Sequence, residues 1–300
     1  LKMDPVELRL KNMVREGQKM PAYFGETATS CALDQCLART ARMIGWKEKY
    51  PYRDLGNGKI RSVGIAMGMQ GSCISGVDVG SATIKLNEDG TYLLSIAASD
   101  MGTGCDTILA QMGAGCLECP VDNIAVSGAD TDTSPYDSGS YASSTTYVTG
   151  TAVQHACEKL RERILELAAK MLECRAGDLD FDGRRAKNLQ NGREASLAEI
   201  GVRSMCNNAN ALQVTESYSS PVSPPPFMAG AAEIELDTET GHVEILDYAA
   251  VVDCGTVVNP NLARVQTEGG IVQGIGMALH ENIQYNQSGK LLNNYLMKYK

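Results

Sequence analysis

An α+β fold, with hairpins and mixed sheets packed against long helices, is predicted by three features of the sequence. Alternating apolar and polar residues run up to a tight turn and back over 81–97 and again over 231–252, the pattern of antiparallel hairpins. Apolar residues recur at helical spacing over 106–117 and 144–172. Hairpin, glycine loop and helix also follow one another twice, around 81–117 and 231–281, which predicts two related halves without a strict repeat.

The elements follow in order. Asp4-Pro5 is a helix start, since Asp caps and Pro fits the first turn, and residues 4–15 read as a short amphipathic helix. Leu33, Cys36, Leu37 and Met43 share one face of a second helix over 31–46. Residues 53–57 read as a polar loop and 62–69 as a small apolar strand. The first hairpin pairs 81–86 with 91–97 across Asn87-Glu88-Asp89-Gly90. A helix from about 106 to 117 is stopped by Pro120, and 123–127 is a strand. After a Ser/Thr/Asp/Gly loop, a helix over 144–172 carries Val148, Ala152, Ala156, Leu160 and Ile164 on one face. Residues 179–184 form a strand and turn, and 197–205 a short helix. Ser220-Pro221-Val222-Ser223-Pro224-Pro225-Pro226 excludes regular structure. The second hairpin turns at 237–241, a helix covers 261–281, and a third hairpin pairs 283–285 with 291–295.

Composition narrows the function classes. With 43% apolar and 21% charged residues the chain builds an ordinary core, and at 5% aromatics that core is mostly aliphatic. A net charge of −9 argues against a nucleic-acid partner, because phosphate backbones need a basic patch. No apolar run approaches the roughly 20 residues that span a bilayer, and no signal pattern opens the chain, so no membrane partner is expected. Ten scattered cysteines read as reduced, mostly buried thiols of a cytoplasmic protein. Cys116 and Cys119 have CxxC spacing without a second pair, so they read as core residues. His155, His242 and His280 are isolated, so no direct metal-ligand set is expected.

Three segments carry candidate chemistry. Met101-Gly102-Thr103-Gly104-Cys105-Asp106-Thr107 joins a strand to a helix; it reads either as an anion site, with amides at a helix N-terminus, or as an ordinary tight connection. Gly139-Ser140-Tyr141-Ala142-Ser143-Ser144-Thr145-Thr146-Tyr147 places more hydroxyls at a helix start than one N-cap requires. They read as donors to a polyanionic ligand or as a capped helix behind a solvated loop. The helix around Gln266 and Gln273 holds Gly269, Gly270, Gly274 and Gly276, each costing about 0.5–1 kcal/mol relative to Ala. Close packing against backbone or a bulky cofactor would justify them.

These three segments, in this order, resemble the molybdopterin-binding domain of the xanthine dehydrogenase and aldehyde oxidase family, and look most like bacterial xanthine dehydrogenase molybdenum subunits. Asp4-Pro5-Val6-Glu7-Leu8-Arg9-Leu10-Lys11-Asn12 resembles the segment joining that family's two cofactor domains, and the likeness covers essentially the whole chain. It implies three parts: a connecting segment (1–58), a first half of the cofactor domain (59–178), and a second half (179–300) that stops before the family's catalytic Glu. It implies that Met101, Gly102 and Thr103 contact the pterin or its dinucleotide phosphates, Thr103 standing where Gln is common. Ser143, Thr145, Thr146 and Gln266 would bind the cofactor. Tyr141 and Ala142 would lie beside molybdenum and substrate, with Tyr141 larger than its counterpart in purine oxidases.

The implied reaction is oxidative hydroxylation of a heteroaromatic carbon, with water as oxygen source, xanthine or hypoxanthine as the leading substrates, and a Glu as base. Neither Glu268 nor Glu281 matches that base, so no catalytic residue is expected within this chain. The implied cofactor is molybdopterin, in its cytosine dinucleotide form, with molybdenum. Iron–sulfur clusters and FAD would sit on partner subunits or domains, beside the remainder of the molybdenum subunit. The chain is expected to be cut at both ends and inactive alone. Nicotinate-type and aldehyde-type hydroxylases remain alternatives, as does a non-catalytic binding or assembly protein on the same fold.

Overall fold

Asp4 opens the first helix as its sequence predicts: its carboxylate accepts the Val6 and Glu7 amides at 2.7 and 3.3 Å, with Pro5 in the first turn. The computed structural model describes residues 1–20, 25–206 and 211–299. Helix α1 (Pro5–Asn12) is followed by the short strands β1 (Lys19–Met20) and β2 (Glu26–Thr27), helices α2 (Leu33–Ile44) and α3 (Trp46–Lys49), and strands β3 (Tyr52–Asp54) and β4 (Lys59–Met69). Then come β5 (Gly80–Leu86), β6 (Tyr92–Ile96), α4 (Cys105–Leu117), β7 (Ile124–Gly128), α5 (Val148–Leu172), β8 (Leu179–Phe181), β9 (Arg185–Asn188), β10 (Glu194–Ser196), α6 (Leu197–Met205) and β11 (Gln213–Tyr218). The chain closes with β12 (Phe227–Asp237), β13 (Val243–Asp253) and α7 (Pro260–Leu279). The class is α+β, as the hairpin and helix patterns predict.

Two units form, and the first is discontinuous in sequence: Leu1–Gln70 with Pro225–Lys300, and Gly71–Pro224. In the first, an antiparallel sheet of order β13-β12-β4-β3 carries α2 on one face. Leu33, Cys36, Leu37, Thr40 and Ile44 are the buried stripe of α2, at the i, i+3, i+4 spacing of an amphipathic helix. Cys36, Leu37 and Ile44 meet Val63, Ile65, Ala229, Ala231 and Ala249, Leu33 clusters with Met13 and Phe227, and Thr40 Oγ1 donates to the Ala229 carbonyl at 3.1 Å. Farther along β12, the buried Glu233 pairs with Lys49 at 2.6 Å, and Glu235 with Lys59 and Arg61 at 2.6 and 2.8 Å. Residues 53 and 54, expected within a polar loop, pair with β4 as part of β3, because the antiparallel partner supplies what local polarity hides.

Two expectations at the end of this unit change. Helix α7 forms over nearly its expected span, capped by Asn259, but none of its residues is buried. A Cβ on Gly269, Gly270 or Gly274 would meet nothing within 4 Å, so close packing among the described residues does not account for these glycines. The third hairpin reduces to a single bridge, Tyr285 to Leu291.

The second unit is built on a sheet of order β11-β5-β6-β7. The hairpin β5–β6 pairs as expected, while β11, absent from the sequence reading, pairs with β5 from Gln213 opposite Lys85 to Tyr218 opposite Gly80. The core joins Ile84, Leu86, Leu94 and Ile96 of the sheet to Leu109 and Leu117 of α4 and Leu160 and Ile164 of α5. Gly80 lets α5 approach the sheet: a Cβ there would lie 2.7 Å from Thr149 Cα. A small sheet of order β10-β9-β8 and α6, opened by a Ser196–Glu199 capping box, complete the unit. Among the described residues no helix is long and apolar enough to cross a membrane.

All ten cysteines are free thiols. Five are buried, three intermediate, and Cys206 and Cys254 are exposed, so burial is less general than the apolar runs around them predict. Cys119 belongs to the core of the second unit and the partly buried Cys116 packs against it, as expected from their isolation.

Candidate functional site

Strands β6 and β7 run parallel, with Ile96 opposite Gly128, and α4 is the crossover between them. Parallel pairing requires such a crossover and sends both strands out at the same end of the sheet. The loop after β6 carries Ser99 to the turn at residues 101–104, and the loop after β7 runs through Asp137 to Thr146. Ser140 Oγ joins the two loops, accepting the Ser99 amide at 2.9 Å and donating to the Ser99 carbonyl at 3.0 Å. Asp137 braces the second loop by accepting the Gly139 amide at 2.8 Å and the Thr149 hydroxyl at 2.9 Å. A cavity of about 420 Å³ opens between the strand ends, lined by Ala97, Ser99 and residues of the second loop including Tyr136 and Asp137.

The turn at 101–104 has a specific internal partner. Asp100 Oδ1 accepts the Gly102 amide at 2.9 Å and the Gly104 amide at 3.0 Å. These amides hold the Asp100 carboxyl below the usual carboxylate range. The anion that the glycine turn was read to attract is thus, for those two amides, a carboxylate of the chain itself. Met101 is 69% exposed beside it, and Gly102, at φ 102°, would place a Cβ in open space. The backbone there is open to a ligand's approach. Thr103 is half-buried. Burial, then the negative charges of Asp106 and Asp100, push the Cys105 thiol up to about 11.

The hydroxyl segment differs from its expected form. Ala142 and Ser143 take left-handed backbone at φ 51° and 57°, so the chain turns before it can wind, and α5 begins at Val148 rather than near Ser144. Tyr147 is the N-cap and makes no side-chain cap. Three hydroxyls are used internally: Ser140 to Ser99, Ser144, buried, to the Tyr141 carbonyl at 2.8 Å, and Tyr147, which accepts from Ser220 Oγ at 3.2 Å. The hydroxyls of Ser143, Thr145 and Thr146 make no hydrogen bond among the described residues. Three nearby donors with no partner among the described residues, beginning at the left-handed Ser143, fit a ligand rich in acceptor oxygens.

The predicted site residues divide between the units. Met101, Gly102, Thr103, Tyr141, Ala142, Ser143, Thr145 and Thr146 belong to the second, where the Ser99–Ser140 pair holds their two loops together. Gln266 belongs to the first, exposed on α7 two turns before Gln273. The sequence reading missed Asp100, Asp137 and Ser140 as loop braces. Asp100-Met101-Gly102 and Asp137-Ser138-Gly139 each carry an Asp two residues before a Gly, a signal for an Asp side chain that binds the amide two residues on.

Comparison with known proteins gives the family and the fold. Residues 39–300 match the family described as the molybdopterin cofactor-binding domain. The probable hypoxanthine oxidase XdhD of Escherichia coli (strain K12) is 34% identical over 310 residues, covering 100% of this chain and 32% of the relative. The carbon monoxide dehydrogenase large chain of Hydrogenophaga pseudoflava is 28% identical, covering 100% of this chain and 40% of its own. The chain therefore spans well under half the length of these relatives. Reconstituted CO dehydrogenase from Oligotropha carboxidovorans superposes with a TM-score of 0.85 at 26% identity, over 100% of this chain and 40% of that one.

Proposed function

Because the chain belongs to the molybdopterin cofactor-binding domain family, of the xanthine dehydrogenase and aldehyde oxidase type, we propose that it forms one part of the cofactor site of a molybdenum hydroxylase acting on a purine such as xanthine or hypoxanthine. The observation that carries this reading is the set of unpartnered hydroxyls at Ser143, Thr145 and Thr146 beside the left-handed Ala142 and Ser143. Those hydroxyls donate to the cofactor's oxygens. Met101, Gly102 and Thr103 border it through an open backbone, and Gln266 contributes an amide that both donates and accepts. Tyr141 and Ala142 face the substrate. The molybdenum cofactor supplies the redox chemistry when bound, and the protein orients it and shields the reacting atoms from water.

The purine assignment is supported by the likeness to a probable hypoxanthine oxidase. A second reading, a nicotinate-type or aldehyde-type hydroxylase, is favoured by Tyr141, which is 42% exposed and would narrow a pocket. The nicotine 6-hydroxylase large subunit of Paenarthrobacter nicotinovorans, 28% identical, supports keeping it. In the proposed complex the partners are the remainder of the molybdenum subunit, an iron–sulfur subunit and an FAD subunit, and the cofactor takes the cytosine dinucleotide form. Segment 1–58 connects, while 59–178 and 179–300 supply the two cofactor-binding halves. Ten free thiols suit a reducing, cytoplasmic setting.

The test is molybdenum content and turnover of the complete complex on xanthine, hypoxanthine, nicotinate and benzaldehyde. Stoichiometric molybdenum with preference for a purine is expected. Preference for nicotinate or aldehyde overturns the purine assignment, and a complex without molybdenum overturns the hydroxylase itself. The 300-residue chain alone is expected to retain no stoichiometric molybdenum.

A further inference from the structure

The sheet β13-β12-β4-β3 has two faces, and α2 covers one of them. Successive side chains of a strand point to opposite faces. Ala229, Ala231 and Ala249 lie on the α2 side and are buried there, with Val63 and Ile65 of β4. The alternate positions make the other face. On β4 they are Gly64, Ala66 and Gly68, all exposed. Opposite them on β12 stand Ala232, Gly230 and Met228, and opposite these on β13 stand Tyr248, Ala250 and Val252. Met228, Tyr248 and Val252 each remain 37% exposed, and no residue of α7 is buried against them.

An antiparallel sheet with one wet face carries its polar residues there. This sheet does the reverse. Every charged side chain of β4, β12 and β13 falls on the α2 side, among them Glu233, paired with Lys49, and Glu235, paired with Lys59 and Arg61. The open face of these three strands carries no charge, and an open apolar face marks an interaction surface. Its floor is also low. A Cβ on Gly64 or Gly68 would meet nothing within 4 Å, and Tyr248 lies over Gly230, where a Cβ would fall 2.7 Å from its hydroxyl oxygen. The first face shows what such a floor accepts: Ala229, Ala231 and Ala249 cluster with Cys36, Leu37 and Ile44 of the amphipathic α2.

We infer that this open face seats a second amphipathic helix, supplied by the remainder of the molybdenum subunit, so that the sheet lies between two helical layers. The inference rests on the reading that makes this chain part of a longer subunit. Family membership and chain length point to that occupant. Residues 39–300 match the family domain, so β4, β12 and β13 all belong to it. XdhD aligns with 100% of this chain over 32% of its own length, and the solved CO dehydrogenase chain superposes on 100% of it with 40% of its own. In both relatives the greater part of the polypeptide lies outside these strands and can reach their open side. Leu and Ile side chains on the occupant fit the track of Gly64, Ala66 and Gly68. A charged helix face does not fit, because its charges would be buried against strands that offer none in return.

Photo-cross-linking of the complete complex, with benzoylphenylalanine in place of Met228 or of Ala66, tests the inference. The product is expected to run at the mass of one subunit on a denaturing gel, its cross-linked peptide coming from outside these 300 residues. A band of two chains, as a second copy or an iron–sulfur or FAD subunit would give, overturns the inference. A cross-link within the 300 residues, or none at either position, overturns it too. Ala66→Cys, a small change, covers the case in which the bulky probe prevents assembly. Its alkylation, followed on the peptide by mass spectrometry, is expected to be slower by about tenfold or more in the native complex than after unfolding in urea. A smaller difference leaves the face open to solvent and overturns the inference. Both measurements read the complex whether or not it holds molybdenum, so this inference and the hydroxylase reading can fail separately.

Discussion

Ser140 Oγ accepts the Ser99 amide at 2.9 Å and returns a bond to the Ser99 carbonyl at 3.0 Å, so one side chain closes both backbone groups of a residue 41 positions away. Neither loop is held by a regular strand pair at that point. Ser140→Ala is expected to cost about 1–2 kcal/mol, the net worth of two neutral hydrogen bonds. Urea unfolding measures it, and reduced molybdenum content in the complex should accompany the loss.

The hydroxyl segment predicts a division of roles. Ser144→Ala removes the bond to the Tyr141 carbonyl and should lower stability by about 1 kcal/mol. Ser143→Ala, Thr145→Val and Thr146→Val remove no internal bond and should change stability by no more than about 0.5 kcal/mol. Their effect should fall on retention of molybdenum by the complex. Equal stability losses at all four positions would remove the basis for assigning three of them to a ligand.

Asp100 sets an acid limb. Its folded carboxyl lies below its unfolded value, held there first by the Gly102 amide and then by Gly104. The contribution is therefore fully present above the unfolded value and is lost as pH falls through the folded one. Asp100→Asn should lose less stability than wild type between about pH 5 and about pH 3. Thermal unfolding across that window tests it, and parallel curves would show that the turn does not depend on the charge.

Tyr92 is fully buried in the second unit, and its hydroxyl has no partner among the described residues. Burial raises its phenol well above the ordinary value. Tyr92→Phe removes the unsatisfied hydroxyl at little cost in shape, so it should be neutral or stabilising by about 1 kcal/mol. A clear destabilisation in urea would reveal a buried partner, such as a water, that the hydroxyl needs.

Hairpins, long helices and the three candidate segments were legible because each is written in neighbouring residues. Periods of two and of 3.6 reveal β5–β6, β12–β13, α2 and α4, and Asp4-Pro5 states its own helix start. β3 and β11 escaped because their strand character comes from partners far away in sequence, β4 and β5. The start of α5 was placed four residues early, because a serine before an apolar run looks like a cap whether or not Ala142 and Ser143 turn left-handed first.

At the candidate site the same limit applies. The sequence by itself determined the supply of groups: a glycine turn after a strand, a run of hydroxyls before a helix, and glutamines on a third segment. Only the tertiary structure decided which of them remain for a ligand. It assigns the Gly102 and Gly104 amides to Asp100, Ser140 to Ser99 and Ser144 to Tyr141, and leaves Ser143, Thr145 and Thr146 without partners among the described residues. Residue type sets what a group can bond, but its partner is set by distance and direction across elements that sequence order does not bring together.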